Sequence, residues 1–156
     1  MRIGLISDTH GQLRPAILQH FANVDLILHA GDVGNQDVLT ELETLAPVHA
    51  VSGNTDTFPL LSALPELQDL QLAGRQVIVT HGHRLDPLTP EKLSQNFPHA
   101  RIILYGHTHR PFIGRINGTL VVNPGAAGPA RFRLKPSIAT LEWNDFGEEI
   151  VRLIEL

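Results

Sequence analysis

Cysteine is absent from this chain of 156 residues, which excludes disulfide bonds, thiolate metal sites and thiol nucleophiles. Proteins without disulfides are typical of reducing compartments, so we expect a cytoplasmic protein. The chain also lacks an apolar run of about 18 residues, the length that predicts a transmembrane helix. Its amino terminus does not resemble a signal peptide, because the first apolar run ends at Asp8. These absences predict that the chain does not span a membrane.

An excess of basic residues is also missing. The chain has 12 lysines and arginines against 16 acidic residues, a formal net charge of −4. This charge predicts no binding to duplex nucleic acid and no attraction to an anionic membrane. No linker, low-complexity tract or internal repeat divides the sequence, and its length matches one domain. We therefore expect a single domain over residues 1–156.

Five apolar segments, each predicted to be a buried strand, end in side chains that can bind a metal ion. They cover residues 2–7, 25–30, 48–52, 76–80 and 101–105. In open α/β sheets, ligands bind outside the carboxyl ends of the strands. The polar side chains that follow these segments therefore form the predicted site: Asp8, His10, Asp32, Asn54, His81, His107 and His109.

His107 and His109 are separated by a single residue. In extended backbone their side chains would point to the same side, about 6–7 Å apart. This spread favours two histidines that serve two neighbouring metals over two that crowd one. The alternative is a polar loop that follows a strand and happens to contain two histidines.

The order of predicted elements indicates an α/β fold. Residues 1–52 match β-α-β-α-β, with helices at 15–21 and 35–45, which predicts a parallel sheet. An ordered loop is expected over 53–65 and a short helix from Pro90. Hairpins are expected between 67–72 and 76–80, between 112–116 and 119–122, and between 137–143 and 149–156. Two sheets packed face to face, with helices on the outside, would accommodate both halves.

The predicted donors comprise two carboxylates, one amide and four imidazoles, more than one ion with an open water position needs. They suit two ions that share a ligand, and Asp32 is the predicted bridge because a carboxylate has two oxygens. Nitrogen and oxygen donors without thiolate fit Mn²⁺, Fe, Zn²⁺ or Ni²⁺, and they argue against Ca²⁺ or Mg²⁺ alone. We expect two divalent ions, with Mn²⁺ preferred.

Such a pair of ions predicts phosphoester chemistry. Two ions about 3.5–4 Å apart clamp the attacking and leaving oxygens of an in-line displacement and supply hydroxide near neutral pH. Two divalent ions against two aspartates leave a local positive charge that attracts phosphate. The hypothesis is hydrolysis of a small phosphoester by a hydroxide that bridges the metals, without a protein nucleophile.

The same residues resemble a known family in identity, order and spacing. The motifs Asp8-x-His10, Gly31-Asp32, Gly53-Asn54-x-Asp56, His81 and Gly106-His107-x-His109 are similar to those of the calcineurin-like metallophosphoesterases, and most of all to their small bacterial and archaeal phosphodiesterases. The resemblance implies a four-layer α/β/β/α sandwich. It also implies that one metal is held by Asp8, His10, Asp32 and His109, and the second by Asp32, Asn54, His81 and His107.

One position departs from the family. Many relatives have a histidine, thought to protonate the leaving group, where this chain has Thr55. Since general acid catalysis contributes about 10²–10⁴-fold, we predict a preference for diesters or activated esters over alkyl monoesters. We expect catalytic contributions from Asn54, from Asp56 and from His83. Asp56 would orient the neighbours of Asn54 or cap a loop, and His83 would act as acid or phosphate contact, or lie outside the reacting groups.

Two other functions and one assembly are compatible with the sequence. The first is a phosphomonoesterase that acts on a metabolite or a protein. The second is a binding scaffold, because the same fold serves as a non-catalytic subunit in a membrane-trafficking coat. Those relatives lose metal ligands, whereas this chain keeps the full set. The final hairpin, with Leu153, Ile154 and Leu156, could offer an edge for a homodimer.

Overall fold

The computed structural model describes residues 1–130, 133–144 and 146–156. Its helices are α1 (Pro15–Phe21), α2 (Gln36–Glu43), α3 (Leu60–Ala63) and α4 (Pro90–Asn96). Its strands are β1 (Arg2–Ile6), β2 (Leu26–His29), β3 (Val48–Ala50), β4 (Leu67–Leu72), β5 (Arg75–Thr80), β6 (Ile102–Tyr105), β7 (Phe112–Ile116), β8 (Thr119–Asn123), β9 (Ser137–Trp143) and β10 (Glu149–Glu155).

The strands form two mixed sheets of five strands each. Sheet 1 has the order β10-β9-β1-β2-β3, and sheet 2 has the order β4-β5-β6-β8-β7. β1, β2 and β3 are parallel, as are β5, β6 and β8. The three expected hairpins are present, and β9 also pairs antiparallel with β1. The predicted α/β fold with two sheets is therefore confirmed.

Alternating side chains along each central strand explain the layers. Leu26 and Leu28 of β2 share a core cluster with Val77 and Val79 of β5, so these faces pack sheet on sheet. Residues between them point outward: Ile27 packs with α1 and α2. On the other side, residues of β5, β6 and β8 pack with Leu93 of α4. Both faces of each sheet are covered, which is why the central strands are continuous apolar runs.

One detail differs from the sequence prediction. The expected loop over 53–65 contains the one-turn helix α3, which begins after Pro59 and buries Leu60. β8 forms a hairpin with β7 and runs parallel to β6, so sheet 2 is mixed. In the residues that the structure describes, no helix has the length and apolar character that crossing a membrane would require.

Candidate metal centre

The carboxyl ends of β1 and β2 in sheet 1 meet those of β5 and β6 in sheet 2. Oδ1 of Asp8 lies 3.2 Å from Nε2 of His109, and Oδ2 of Asp32 lies 3.4 Å from Nε2 of His81. Each of these contacts joins residues from different sheets. The structure thus brings together side chains that are distant in the sequence.

Among the residues that the structure describes, two groups of donor atoms are close enough to hold a cation. In each group the ligand atoms lie within 4.8 Å of one another, and Asp8 belongs to both. The first group contains Asp8, His10 and His109, and the second contains Asp8, Asp32 and His81. Nε2 of His10 and Nε2 of His109 are 3.4 Å apart, a spacing that suits two ligands of one ion.

The two oxygens of Asp8 have different environments. Oδ2 accepts hydrogen bonds from the hydroxyl of Ser7, at 2.5 Å, and from the backbone N–H of His107, at 3.2 Å. Oδ1 is buried and accepts no hydrogen bond from the described part of the chain. A buried carboxylate oxygen without a donor is costly unless a cation binds it. Asp8 therefore presents one oxygen to the protein and the other to the site.

Asp32 divides its oxygens in the same way. Oδ1 accepts a hydrogen bond from the backbone N–H of Thr55, at 2.9 Å. Oδ2 faces the imidazoles of both groups, 3.4 Å from Nε2 of His81 and 3.9 Å from Nε2 of His10. A bridge through Asp32 would thus use the single oxygen Oδ2, whereas the sequence argument invoked both oxygens. Burial opposes ionisation of Asp32, but His81 and the Thr55 N–H outweigh it and hold the pKa below its usual range.

His81 is fully buried, and a hydrogen bond from its Nδ1 fixes the orientation of the ring. Nδ1 donates to the carbonyl of Ala30 at 2.8 Å, so Nε2 faces the site. Nε2 lies 3.1 Å from Oδ1 of Asn54, which brings the amide predicted from the end of β3 into the cluster. Burial lowers the pKa of His81, but the contact with Asp32 and the charge of Asp8 raise it more, and the net direction is upward. A carbonyl that fixes the far nitrogen is typical of metal-binding histidines.

His107 and His83 lie beside His81. The ring centroid of His107 is 5.1 Å from that of His81, and that of His83 is 5.5 Å from it. His107 is exposed and lies outside both close donor groups. His83 is half-buried, and its Nδ1 has no hydrogen-bond partner in the part of the chain that the structure describes. Burial, together with the charge of His81, lowers the pKa of His83.

The backbone at the donors differs from the extended geometry predicted for the His-x-His segment. Both histidines of that segment have a left-handed backbone, with φ values of 68° and 58°. Their side chains therefore separate, His107 beside His81 and His109 beside Asp8. Other predicted donors share this backbone: Asp8, His10 and Asp32. Non-glycine residues in this region carry strain, and such residues cluster at functional sites.

At two glycines that directly precede donor residues, there is no space for a side chain. A Cβ at Gly53 would overlap Oδ1 and the backbone nitrogen of Asp32. A Cβ at Gly106 would overlap the hydroxyl of Ser7 and lie 3.0 Å from Oδ2 of Asp8. The Gly-Asn and Gly-His pairs of the sequence thus reflect close approach between neighbouring loops.

Asp56 lies behind the donors and ties two loops together. Its carboxylate accepts hydrogen bonds from the backbone N–H groups of Val33, Gly34 and Gly53 at 2.8–3.2 Å. Val33 and Gly34 follow Asp32, and Gly53 precedes Asn54. Both carboxylate oxygens of Asp56 therefore accept from the backbone, and its orienting role stays a prediction.

Three further buried residues support the loops, and the sequence argument assigned them no role at the site. His29 accepts from the N–H of Gly31 through Nδ1 and contacts the hydroxyl of Thr9 through Nε2, at 3.2 and 2.9 Å. Asn123 donates to the carbonyl of Gly106 and to the hydroxyl of Thr108, both at 3.0 Å. Ser7 donates to Asp8. The only sequence signal for them is a polar residue at the end of an apolar strand.

The donor set fits divalent transition metals. Carboxylate oxygens, an amide oxygen and imidazoles converge, and the described residues contain no thiolate. Mn²⁺, Fe, Zn²⁺ and Ni²⁺ accept this mixture, whereas Ca²⁺ and Mg²⁺ favour oxygen alone. Bound cations there would supply charge and an activated water to an anionic substrate.

Comparison with known proteins agrees with this geometry. Residues 1–145 match the family model of the calcineurin-like phosphoesterase superfamily domain. A probable metallophosphoesterase of Methanothermobacter thermautotrophicus is 34% identical over 165 residues, covering 97% of this chain and 92% of the relative.

Solved structures agree as well. One, described as a novel archaeal phosphodiesterase, superposes with a TM-score of 0.80 at 25% identity and covers 99% of this chain and 100% of its own. Wild-type Vps29 of Entamoeba histolytica, complexed with zinc, has a TM-score of 0.82 at 23% identity, covers 99% of each chain and supports the fold alone. Since the family model spans most of the sequence, this chain belongs to the calcineurin-like phosphoesterase superfamily.

Proposed function

We propose that the chain is a metal-dependent phosphodiesterase that hydrolyses a small phosphoester at the site between the two sheets. The observation that carries the proposal is the position of Oδ2 of Asp32, which lies 3.9 Å from Nε2 of His10 and 3.4 Å from Nε2 of His81. One oxygen within reach of imidazoles from both donor groups is what a bridging ligand of two ions needs.

The proposed ligand sets overlap at this oxygen. One ion would be held by Asp8, His10, Asp32 and His109, and the other by Asp32, Asn54, His81 and His107. Two divalent ions would supply an activated water and positive charge at the phosphoryl oxygens. We propose Mn²⁺ as the preferred metal and Fe, Zn²⁺ or Ni²⁺ as alternatives; donors that combine nitrogen and oxygen without thiolate fit all four and argue against Ca²⁺ or Mg²⁺ alone.

The surrounding residues of the chain orient the ligands, hold them in place and shield the centre. Ser7 and the N–H of His107 hold Asp8, and Thr55 holds Asp32 through its backbone N–H. His83, with a buried Nδ1 beside His81, is the proposed phosphate contact or proton donor. The side chain of Thr55 lies 3.4 Å from Nδ1 of His10, so it supports a ligand and cannot replace an acidic imidazole.

Paired kinetics test the proposal. The metal-loaded protein should hydrolyse bis(p-nitrophenyl) phosphate faster than an alkyl monoester such as glycerol 2-phosphate, because aryl leaving groups need no protonation. Added chelator should abolish both activities, and added Mn²⁺ should restore them. A much faster alkyl monoester would favour the phosphomonoesterase alternative.

A scaffold function is the second candidate, favoured by the likeness of the fold to Vps29. It predicts negligible hydrolysis of every ester at saturating Mn²⁺. The convergence of Asp8, Asp32 and His81 argues for catalysis, because a scaffold would not need these side chains to converge.

We also propose that β10, an edge strand of sheet 1, can pair with a second copy. Leu153 is 40% exposed on this strand, whereas Ile154 and Leu156 pack against the core. Sedimentation analysis of the purified protein would give the mass, and a monomer at all concentrations would contradict the proposal.

A further inference from the structure

A cavity of about 770 Å³ lies beside His107. Its volume falls within the range of small-molecule sites, about 300–1,000 Å³. A phosphoryl group held at the metals would leave most of this space empty. The cavity is therefore large enough for a further part of the substrate.

Apolar side chains that the fold holds in place form part of the wall of the cavity. Leu88 and Phe112 are half-buried and pack against the core cluster that contains Tyr105. Leu88 is also close to Gly82, where an added Cβ would lie 3.0 Å from its methyl groups. Because Gly82 follows His81, this wall is fixed to a loop of the metal centre.

The charge of the lining indicates a neutral occupant. Two formally charged residues line the cavity, Arg110 and Glu91, and their charges are opposite. A second phosphate would face Glu91, whereas an uncharged ring would lie against Leu88 and Phe112 without meeting unbalanced charge.

We propose that this cavity is a subsite for an uncharged, planar ring on one ester group of the substrate. The inference rests on the proposed function, because His107 lines the cavity and is also a proposed ligand of the second ion. It names a substrate class: phosphodiesters with a ring-bearing ester group, rather than diesters of small alkyl alcohols.

Calorimetric titration with two phosphonates tests the subsite without turnover. Phenylphosphonate and methylphosphonate carry the same phosphoryl group and differ in the ring. The Mn²⁺-loaded protein should bind phenylphosphonate about tenfold more tightly, because the ring buries more apolar surface. In Phe112→Ala this ratio should fall to about twofold. Ile113→Ala is the matched control, because Ile113 is the next residue of β7 and is 42% exposed.

The possible outcomes distinguish failure of the subsite from failure of the proposed function on which it rests. Equal affinity of the wild-type protein for both probes would overturn the subsite and leave the metal centre intact. If neither phosphonate binds while metal is bound, both the proposed function and the subsite are overturned. Phe112→Leu keeps an apolar side chain but removes the flat ring. A reduced ratio of the two phosphonate affinities in this variant, with an unchanged melting temperature, would support the subsite even if Phe112→Ala folds poorly.

Discussion

Oδ1 of Asp8 and Nε2 of His109 lie 3.2 Å apart, although Asp8 follows a strand of sheet 1 and His109 a strand of sheet 2. Replacement of Asp8 by asparagine keeps the size but removes the charge that holds a cation. We expect Asp8→Asn to lose bound metal and to lower kcat/KM at least about 100-fold. Metal analysis and diester kinetics measure both effects. Asp37→Asn makes the same change on the exposed first turn of α2 and should alter neither; full metal content in Asp8→Asn would contradict the assignment.

Removal of the Asp56 carboxylate should loosen the loops that carry Asp32 and Asn54. Asp56→Ala leaves three backbone N–H groups without their acceptor, which should lower the free energy of unfolding by about 1–3 kcal/mol. Metal affinity should fall about 10–100-fold, because these loops orient the ligands. Urea unfolding and metal titration measure the two effects. Asp69→Ala, on the exposed hairpin of β4, serves as control, and unaltered metal affinity in Asp56→Ala would limit Asp56 to a stabilising role.

His29 should make stability depend on pH. Burial lowers its pKa from 6.5 to about 4, the charge of His81 lowers it further, and the nearby aspartates oppose both. Between these values the unfolded chain binds a proton that the native protein does not, so the free energy of unfolding falls as pH falls, by about 3 kcal/mol in all. The pKa of His81 is raised, so its stabilising contribution is complete below pH 6.5 and is lost as the pH rises through the raised value.

Urea unfolding in chelator between pH 7 and pH 4.5 measures the His29 effect. His29→Gln removes the titrating group and can still accept from Gly31 and donate to Thr9. We expect a shallower fall of stability with decreasing pH in this variant. Parallel curves for the two proteins would assign the pH dependence to other groups.

Glu149 connects the sheets at the ends of their strands away from the metal centre. Its covered carboxylate contacts Arg75 at 3.3 Å, Arg101 at 2.8 Å and Arg115 at 2.5 Å. Burial opposes its ionisation, but the guanidinium groups of Arg101 and Arg115 lower its pKa to about 2. Glu149→Gln leaves the arginines without their counter-charge and should lower the free energy of unfolding by about 1–3 kcal/mol.

The matched control is Glu155→Gln. Glu155 pairs with Lys135 at the surface, where both side chains are more than half exposed. Such a pair contributes about 0–1 kcal/mol, so the substitution should change unfolding little. Equal effects of the two substitutions would mean that Glu149 is no more than a surface partner.

The sequence was sufficient to predict the strands and the convergence of the donors. Continuous apolar runs identified β1, β2, β5 and β6, and the rule for strand ends then brought Asp8 near His109. Hairpins were predictable from local turn residues such as Asn117-Gly118. These features depend on local pattern and on general rules of topology.

The hydrogen bonds that hold the donor residues in place were not predictable from the sequence in the same way. Oδ2 of Asp8 is held by Ser7, its neighbour, but also by the N–H of His107, which comes from the other sheet. His107 and His109 have a left-handed backbone, and Asn123 donates to Gly106 and Thr108, which flank His107. Such bonds depend on the three-dimensional placement of loops, which a pattern of hydrophobicity does not encode.

Because each group of donors draws on both sheets, a cation bound there would act as a cross-link between the two halves of the sandwich. Release of the cation would therefore lower the stability of the fold as well as the activity. A ligand that binds only the native state raises the free energy of unfolding, and this increase grows with the logarithm of the ligand concentration. The melting temperature of this protein should therefore report how fully the centre is loaded, and comparisons between variants need a fixed concentration of free metal.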